Sequence, residues 1–117
     1  KRANVEEAAW ERLAARLDLD DLTRTTAAGL HMATLGGVWQ ALAFGFAGLR
    51  ADGDRLRIDP RLPSAWSSMT LRMIFRGSRV RVSLTHGEAV IEADKPVRVA
   101  GSGGETLTGT SFRLATP

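Results

Sequence analysis

The segment RVRVSLTHGEAVIEA, residues 79–93, carries apolar residues between polar ones on either side of a His86-Gly87 pair. Alternation of this kind, clearest from Arg79 to Val82, is typical of a half-buried strand. A short glycine-containing turn between two such runs predicts a β-hairpin. We therefore predict strands at Arg79–Thr85 and Ala89–Ala93, with the arginines on a solvated face of a sheet.

Similar short runs lie on both sides of this hairpin. ADGD at 51–54 signals a turn, and RLRIDP at 55–60 indicates a short strand that ends at Pro60. Gly77-Ser78 occupies another hairpin position. Further strands are predicted at Met69–Phe75, Val97–Ala100 and Ser111–Ala115. Regularly spaced short strands with turn signals predict a small antiparallel β-sandwich.

The first half of the chain has helical patterning instead. Asn4 and Glu7 have the spacing of a capping box, and the helix that follows is expected to end near Leu17. A second helix is predicted from Gly36 or Gly37 to Ala47, with Gly48 as its C-terminal cap. This second helix is apolar nearly all round, which is normal only for a helix that other helices enclose.

Helices followed by strands predict an α+β chain or a boundary between two domains. We place that boundary near Gly48–Asp54. Residues 1–50 are then helices that need further helical neighbours, and residues 51–117 are a β-domain. The all-apolar helix predicts that the chain is a piece of a larger protein or part of an obligate assembly.

Composition excludes several classes of protein. The apolar and charged fractions are those of a soluble globular domain, with no candidate membrane span and no signal-peptide pattern. Cysteine is absent, and neither histidine is flanked by carboxylates, so no metal site is predicted. The arginines of the second half lack the interleaved aromatic residues of a nucleic-acid surface. We expect a cytoplasmic protein that binds neither nucleic acid nor membrane.

One stretch carries groups that could bind an anion. TTAAGLHMATLGG, residues 25–37, places hydroxyl groups, His31 and the Gly36-Gly37 pair just before the predicted second helix. Free amides at a helix start, approached closely over glycine, suit a phosphate or sulfate. The alternative is that His31 is a satisfied core histidine and the glycines allow close helix packing.

Other candidates have structural explanations. The cluster of Asp18, Asp20 and Asp21 is more typical of a solvated turn than of a catalytic pair. Trp66 could stack on a sugar, but a single tryptophan beside two prolines is more often a packing anchor. His86 is expected at a hairpin tip.

Two segments resemble a known family. TTAAGLHMATLGGVWQALAFGFAGLR, residues 25–50, and LRIDPRLPSAWSSMTLRMIFRGSRVRVSL, residues 56–84, resemble the C-terminal portion of glycoside hydrolase family 65. This family contains maltose, trehalose and kojibiose phosphorylases and related hydrolases. The resemblance implies the terminal helices of an (α/α)6 barrel, followed by a small antiparallel β-sandwich C-terminal domain.

The same resemblance implies a site. In the family, inverting attack on an α-glucosidic bond uses a glutamate general acid, and no residue of this chain matches it. Phosphate contacts are implied at His31 and Thr34, with Gly36 beside them; Thr34 stands where the family usually has serine. We therefore assign no catalytic residue, no metal and no cofactor, with inorganic phosphate as co-substrate if the enzyme is a phosphorylase.

The leading hypothesis is a C-terminal fragment of an enzyme that phosphorolyses or hydrolyses α-glucosidic disaccharides of the maltose, trehalose or kojibiose type. The fragment itself is expected to be structural and inactive. Its expected partners are the upstream barrel and, in the whole enzyme, disaccharide and phosphate; exposed apolar surface also predicts self-association. The alternative is a free-standing carbohydrate-binding or interaction module.

Overall fold

The computed structural model describes residues 9, 12–14, 16–17, 20, 22–24, 26–30 and 32–117. They belong to two compact units, Lys1–Leu42 and Ala43–Pro117. The predicted boundary near Gly48–Asp54 lies a few residues beyond this division and stays a prediction. Within the described ranges, no helix is long and apolar enough to cross a membrane.

The described residues of the first unit are mostly helical. Its described residues between 9 and 17 have helical conformation, a 3-10 turn covers Thr26–Ala28, and helix α1 covers Met32–Gln40. The Asn4 and Glu7 capping box lies outside the described residues. Near the predicted end of the first helix, the Asp20 amide donates to the Arg16 carbonyl at 2.8 Å.

The prediction that the second helix begins at Gly36 or Gly37 is wrong. Helix α1 begins at Met32, so both glycines lie inside it. An internal glycine costs only about 1 kcal/mol relative to alanine, which the context of a helix routinely overrides. The helical segment continues to Phe46 as a π-helical turn, Ala41–Phe46, and Gly48 then adopts a φ of 64°. This left-handed conformation suits the predicted C-terminal cap.

The second unit contains the strands. The short runs and glycine turns read from the sequence are confirmed as strands and hairpins, with one strand missed at the start. The strands are β1 (Leu49–Asp52), β2 (Arg55–Ile58), β3 (Ser68–Phe75), β4 (Ser78–Thr85), β5 (Glu88–Ala100) and β6 (Thr106–Ala115). The two strands predicted at Ala89–Ala93 and Val97–Ala100 are one long strand, β5.

All six strands join one hydrogen-bonded sheet in the order β1-β2-β5-β4-β3, with β6 on β5. Residues 88–93 of β5 pair with β4, and residues 98–100 pair with β2. Strand β6 pairs with both of these parts of β5. The long β5–β6 ribbon therefore connects two smaller groups of strands. Among the described strands, β2 and β5 pair in parallel and the other pairs are antiparallel.

Alternation along the strands places the core on one face. In β4, Ser78, Val80, Val82 and Leu84 are buried, whereas the arginines between them are exposed. Leu56, Ile58, Ile91, Val99 and Leu114 are buried with them. The predicted solvated arginine face is thereby confirmed for β4, and the chain is α+β with a small β-rich domain.

Candidate functional site

The sequence-predicted phosphate residues lie in or beside α1. His31 lies outside the described residues. Thr34 is half-buried and Gly36 is exposed. Amides of the first helical turn have no acceptor within the helix, and Thr34 lies in that turn, whereas the Gly36 amide lies opposite the Met32 carbonyl in the regular helical pattern. The Met32 amide donates to the Leu30 carbonyl at 3.0 Å, so the other amides of the first turn are those of Ala33 and Thr34. The phosphate role of His31, Thr34 and Gly36 stays a prediction.

The segment after α1 is tied together by backbone hydrogen bonds within the second unit. The Arg61 amide donates to the Phe46 carbonyl at 2.7 Å, and the Asp59 amide donates to the Gly48 carbonyl at 3.1 Å. A Cβ at Gly48 would collide with the Asp59 backbone. The turn after Phe46 and the strand end at Asp59 therefore lie in direct contact, which only glycine allows at position 48.

Trp66 packs within the same unit. Its ring lies 5.2 Å from that of Phe46, tilted by 56°. The imidazole of His86, at the β4–β5 hairpin, donates from Nε2 to the Trp66 carbonyl at 2.7 Å. The contact with the Phe46 ring supports the packing-anchor interpretation of Trp66. His86 is exposed at a hairpin tip as expected, and it holds the loop before β3 in place.

Three arginines converge beside this segment. Arg50, Arg57 and Arg61, here called the arginine patch, line a partly open cavity of about 220 Å³ together with Phe44, Gly45, Gly48 and Asp59. Arg50 donates from Nη1 to the carbonyls of Phe44 and Leu49, both at 2.7 Å. Its guanidinium also lies 5.7 Å from the centre of the Phe44 ring.

Sequence reasoning missed the arginine patch. Part of it could have been predicted, because the ADGD turn fixes the β1–β2 register and so places Arg50 directly opposite Arg57. Arg61 could not be placed the same way, since it lies beyond the strand in the proline-containing connection. Convergence of all three depends on the close approach at Gly48.

Carboxylates of residues 52–94 are engaged by neighbouring groups. Each contacts an arginine side chain or, in the case of Asp94, a serine hydroxyl and a backbone amide. The pairs are Asp52–Arg55, Asp54–Arg98, Asp59–Arg61, Glu88–Arg113, Glu92–Arg81 and Asp94–Ser78. Such pairs are typical of the solvent-exposed surface of a sheet. Among the described residues, no group of three or more histidines and carboxylates is placed to hold a metal.

Two of these carboxylates have a lowered pKa. The hydrogen bond from Arg98 lowers the pKa of Asp54. The backbone amide of Arg79 and then the Ser78 hydroxyl lower the pKa of Asp94. Both effects stabilise the charged carboxylate, which is the opposite of what a catalytic acid needs at neutral pH. Asp20, from the predicted acidic turn, bonds Arg16 at 2.5 Å, and Asp18 and Asp21 lie outside the described residues.

Comparison with known proteins agrees with the resemblance read from the sequence. The family model of the glycosyl hydrolase family 65 C-terminal domain matches residues 49–114. An uncharacterized glycosyl hydrolase of Mycobacterium tuberculosis is 51% identical over 73 residues, which are 62% of this chain and 9% of the relative. A kojibiose phosphorylase of Halothermothrix orenii is 37% identical over 94 residues, covering 73% of this chain and 12% of the relative.

A solved structure gives the same fold. The structure is that of a protein from the human microbiome described as a kojibiose phosphorylase. It superposes with a TM-score of 0.78 at 22% identity, over 92% of this chain and 15% of that one. The chain thus spans about a tenth of the length of the curated relatives it matches. Family match, identity and fold agree, and the chain belongs to glycosyl hydrolase family 65, in which its residues 49–114 are the C-terminal domain.

Proposed function

We propose that this chain is the C-terminal part of an enzyme that cleaves α-glucosidic disaccharides by an inverting mechanism, with phosphate or water as the attacking group. The observation that carries the proposal is the match of residues 49–114 to the family's C-terminal domain. Disaccharides of the maltose, trehalose and kojibiose type are the substrate class. In this proposal the enzyme acts in the cytoplasm, and the β-unit has a structural role beside a catalytic barrel.

The surface of α1 supports a helical partner. None of its residues is buried, although Met32, Leu35, Val38 and Trp39 are apolar. Met32 is 69% exposed and Trp39 is 43% exposed. An apolar helix with no buried residue needs a cover. We assign that cover to the other helices of an (α/α)6 barrel, and expect self-association of the chain where the barrel is absent.

The proposed role of this chain in phosphate use rests on the start of α1. His31 would supply a side-chain donor, and the Thr34 hydroxyl and first-turn amides would supply uncharged donors. Gly36 would leave the side of the helix open for approach. These groups can hold an oxyanion, but no residue of this chain matches the glutamate general acid of the family. The chain by itself should therefore turn over none of the three disaccharides, with or without phosphate.

A graft tests this part of the proposal. The C-terminal segment of the Halothermothrix orenii kojibiose phosphorylase that matches this chain would be replaced by this chain, and phosphorolysis would be measured against phosphate concentration. Thr34→Val, which replaces the hydroxyl by a methyl group of similar size, should raise the KM for phosphate about tenfold. Thr34→Ser should leave it unchanged. Thr70→Val, on the exposed face of β3, is the matched control. Equal KM values for Thr34→Val and Thr70→Val would contradict the Thr34 assignment.

A further inference from the structure

Like charges face each other at several positions of the sheet. Three registers place two arginines directly opposite one another: Arg50 and Arg57, Arg55 and Arg98, and Arg72 and Arg81. Such pairs destabilise a sheet unless a neighbouring group compensates the charge. Each pair therefore raises the question of what balances it.

Carboxylates balance two of the three pairs. Arg98 bonds Asp54 at 2.6 Å, Arg55 bonds Asp52 at 2.6 Å, and Arg81 bonds Glu92. The first pair differs. Arg50 donates to two backbone carbonyls, and among the described residues no carboxylate forms an ion pair with Arg50 or Arg57. Within the part of the chain that the structure describes, this pair therefore has no balancing carboxylate, and both arginines are exposed.

The uncompensated pair opens onto the cavity of the arginine patch. Alternation along β2 and the residues after it puts Arg57, Asp59 and Arg61 on the same side. Asp59 lies 3.6 Å from Arg61 and offsets one charge. Three arginines and one aspartate leave a formal charge of +2 on the lining of about 220 Å³.

The Arg50 guanidinium and the backbone on either side of Pro60 are held in position. Two carbonyls and the Phe44 ring hold the Arg50 guanidinium. The backbone of Asp59 and Arg61 is bonded to Gly48 and Phe46. A guanidinium that is already held, as that of Arg50 is, loses less freedom on binding, which favours affinity.

We propose that Arg50, Arg57 and Arg61 bind a phosphate group, either inorganic phosphate or a phosphate monoester. A monoester carries about −1.5 to −2 charges at pH 7 and three acceptor oxygens, which match the +2 lining and the three guanidinium groups. A single carboxylate offers less charge and only one plane of acceptors. This site does not use His31, Thr34 or Gly36, so it does not depend on the proposed function.

The experiment is a titration of the 117-residue chain with inorganic phosphate, followed by amide NMR shifts and calorimetry at constant ionic strength set with chloride. We expect saturable binding with shifts at Gly45, Gly48 and Arg57. Arg57→Gln and Arg61→Gln should each weaken binding about tenfold. Arg72→Gln, from an opposed pair elsewhere in the sheet, should bind as the wild type does.

A His31→Ala variant separates this site from the α1 site. Binding and the shifts around Gly48 should persist in it. The proposal is overturned if no saturable binding occurs, if Arg72→Gln weakens binding as much as Arg57→Gln, or if the shifts are confined to residues 30–36. Arg57→Gln should melt at the same temperature as wild type or higher without phosphate, because it removes one of two opposed charges. Lost binding then cannot be ascribed to unfolding.

The source of the phosphate group is resolved by a second titration with glucose 6-phosphate. Equal affinity for both anions indicates that the arginine patch contacts only the phosphate group. Tighter binding of the ester indicates that the sugar adds contacts beyond those of the phosphate group. Binding of acetate as tightly as either would contradict the preference for phosphate.

Discussion

Ser78 and Asp94 fix the irregular point of the sheet. The buried Ser78 hydroxyl donates to Asp94 Oδ1 at 3.0 Å and accepts the amide of Lys95 at 3.2 Å. The same Asp94 oxygen accepts the Arg79 amide at 2.8 Å. Between Glu92 and Val97 the β5–β6 register shifts, and these bonds satisfy the groups that regular pairing cannot. The start of β4 thus stabilises the irregular segment of β5, on either side of which β5 pairs with a different group of strands.

Ser78→Ala should destabilise the domain by about 1–3 kcal/mol, because it removes the hydroxyl that accepts the Lys95 amide and donates to Asp94, which keeps only the Arg79 amide. The side chain is only 2% exposed, so water cannot replace it fully. Urea unfolding would measure the change. Ser111→Ala, on an exposed position of β6, should shift the midpoint little. Equal losses in both variants would show that Ser78 does not hold the bulge.

Acid should weaken the fold through Asp94 and Asp54. Their pKa values are lowered from 3.8 in the folded chain, by the Arg79 amide for Asp94 and by Arg98 for Asp54. A lowered pKa means that the unfolded chain takes up the proton first. The stabilisation is therefore present above pH 3.8 and is lost as the pH falls through the lowered values.

Asp94→Asn should flatten this dependence. Stability of the wild type and the variant, measured by urea unfolding from pH 6 to pH 2.5, should differ most at pH 6 and converge at the acidic end. The variant cannot gain or lose the charge that the Arg79 amide stabilises. A constant difference between the two curves across the whole range would contradict the role given to Asp94.

Gly48 and Gly53 provide a matched pair. Both have positive φ, 64° and 60°. A Cβ at Gly48 would collide with the Asp59 backbone, whereas a Cβ at Gly53 meets nothing within 4 Å. Gly53→Ala should cost about 1–2 kcal/mol for the left-handed conformation alone. Gly48→Ala should cost several kcal/mol more or prevent folding, as measured by thermal unfolding. Equal costs would contradict the close approach that assembles the arginine patch.

Trp66 decides between a structural and a carbohydrate-binding role. Trp66→Ala should destabilise the domain by about 2–4 kcal/mol through loss of its contact with Phe46, and Trp66→Phe should recover part of this. Maltose or maltotriose should leave the intrinsic tryptophan fluorescence of the wild type unchanged. A saturable fluorescence change that disappears in Trp66→Phe would favour the free-standing binding module.

The hairpins could be predicted from the sequence because each depends on local chemistry. Gly53, Gly77 and Gly87 all adopt positive φ in the turns that the sequence marks. The Arg79–Val82 alternation likewise fixed which face of β4 is buried. Local patterns of this kind do not depend on distant residues.

Non-local features could not be predicted in the same way. Asp94, Lys95 and Pro96 interrupt the apolar pattern of β5, so the sequence suggests two strands where Ser78 holds one. The parallel pairing of β2 with β5 joins residues more than 40 positions apart. The early start of α1 contradicts the helix propensity of Gly36 and Gly37. The long β5 strand and the β2–β5 pairing depend on contacts between distant residues, which have no local sequence signal.

The most direct test of the central claim is phosphorolysis by the graft on the Halothermothrix orenii kojibiose phosphorylase. The relative truncated before its matching C-terminal segment and the graft would be purified in parallel, and glucose released from kojibiose in phosphate would be measured. If this chain is the C-terminal part of such an enzyme, the graft should fold and release glucose, and the truncated protein should not. A folded graft with no activity above the truncated protein would contradict the account.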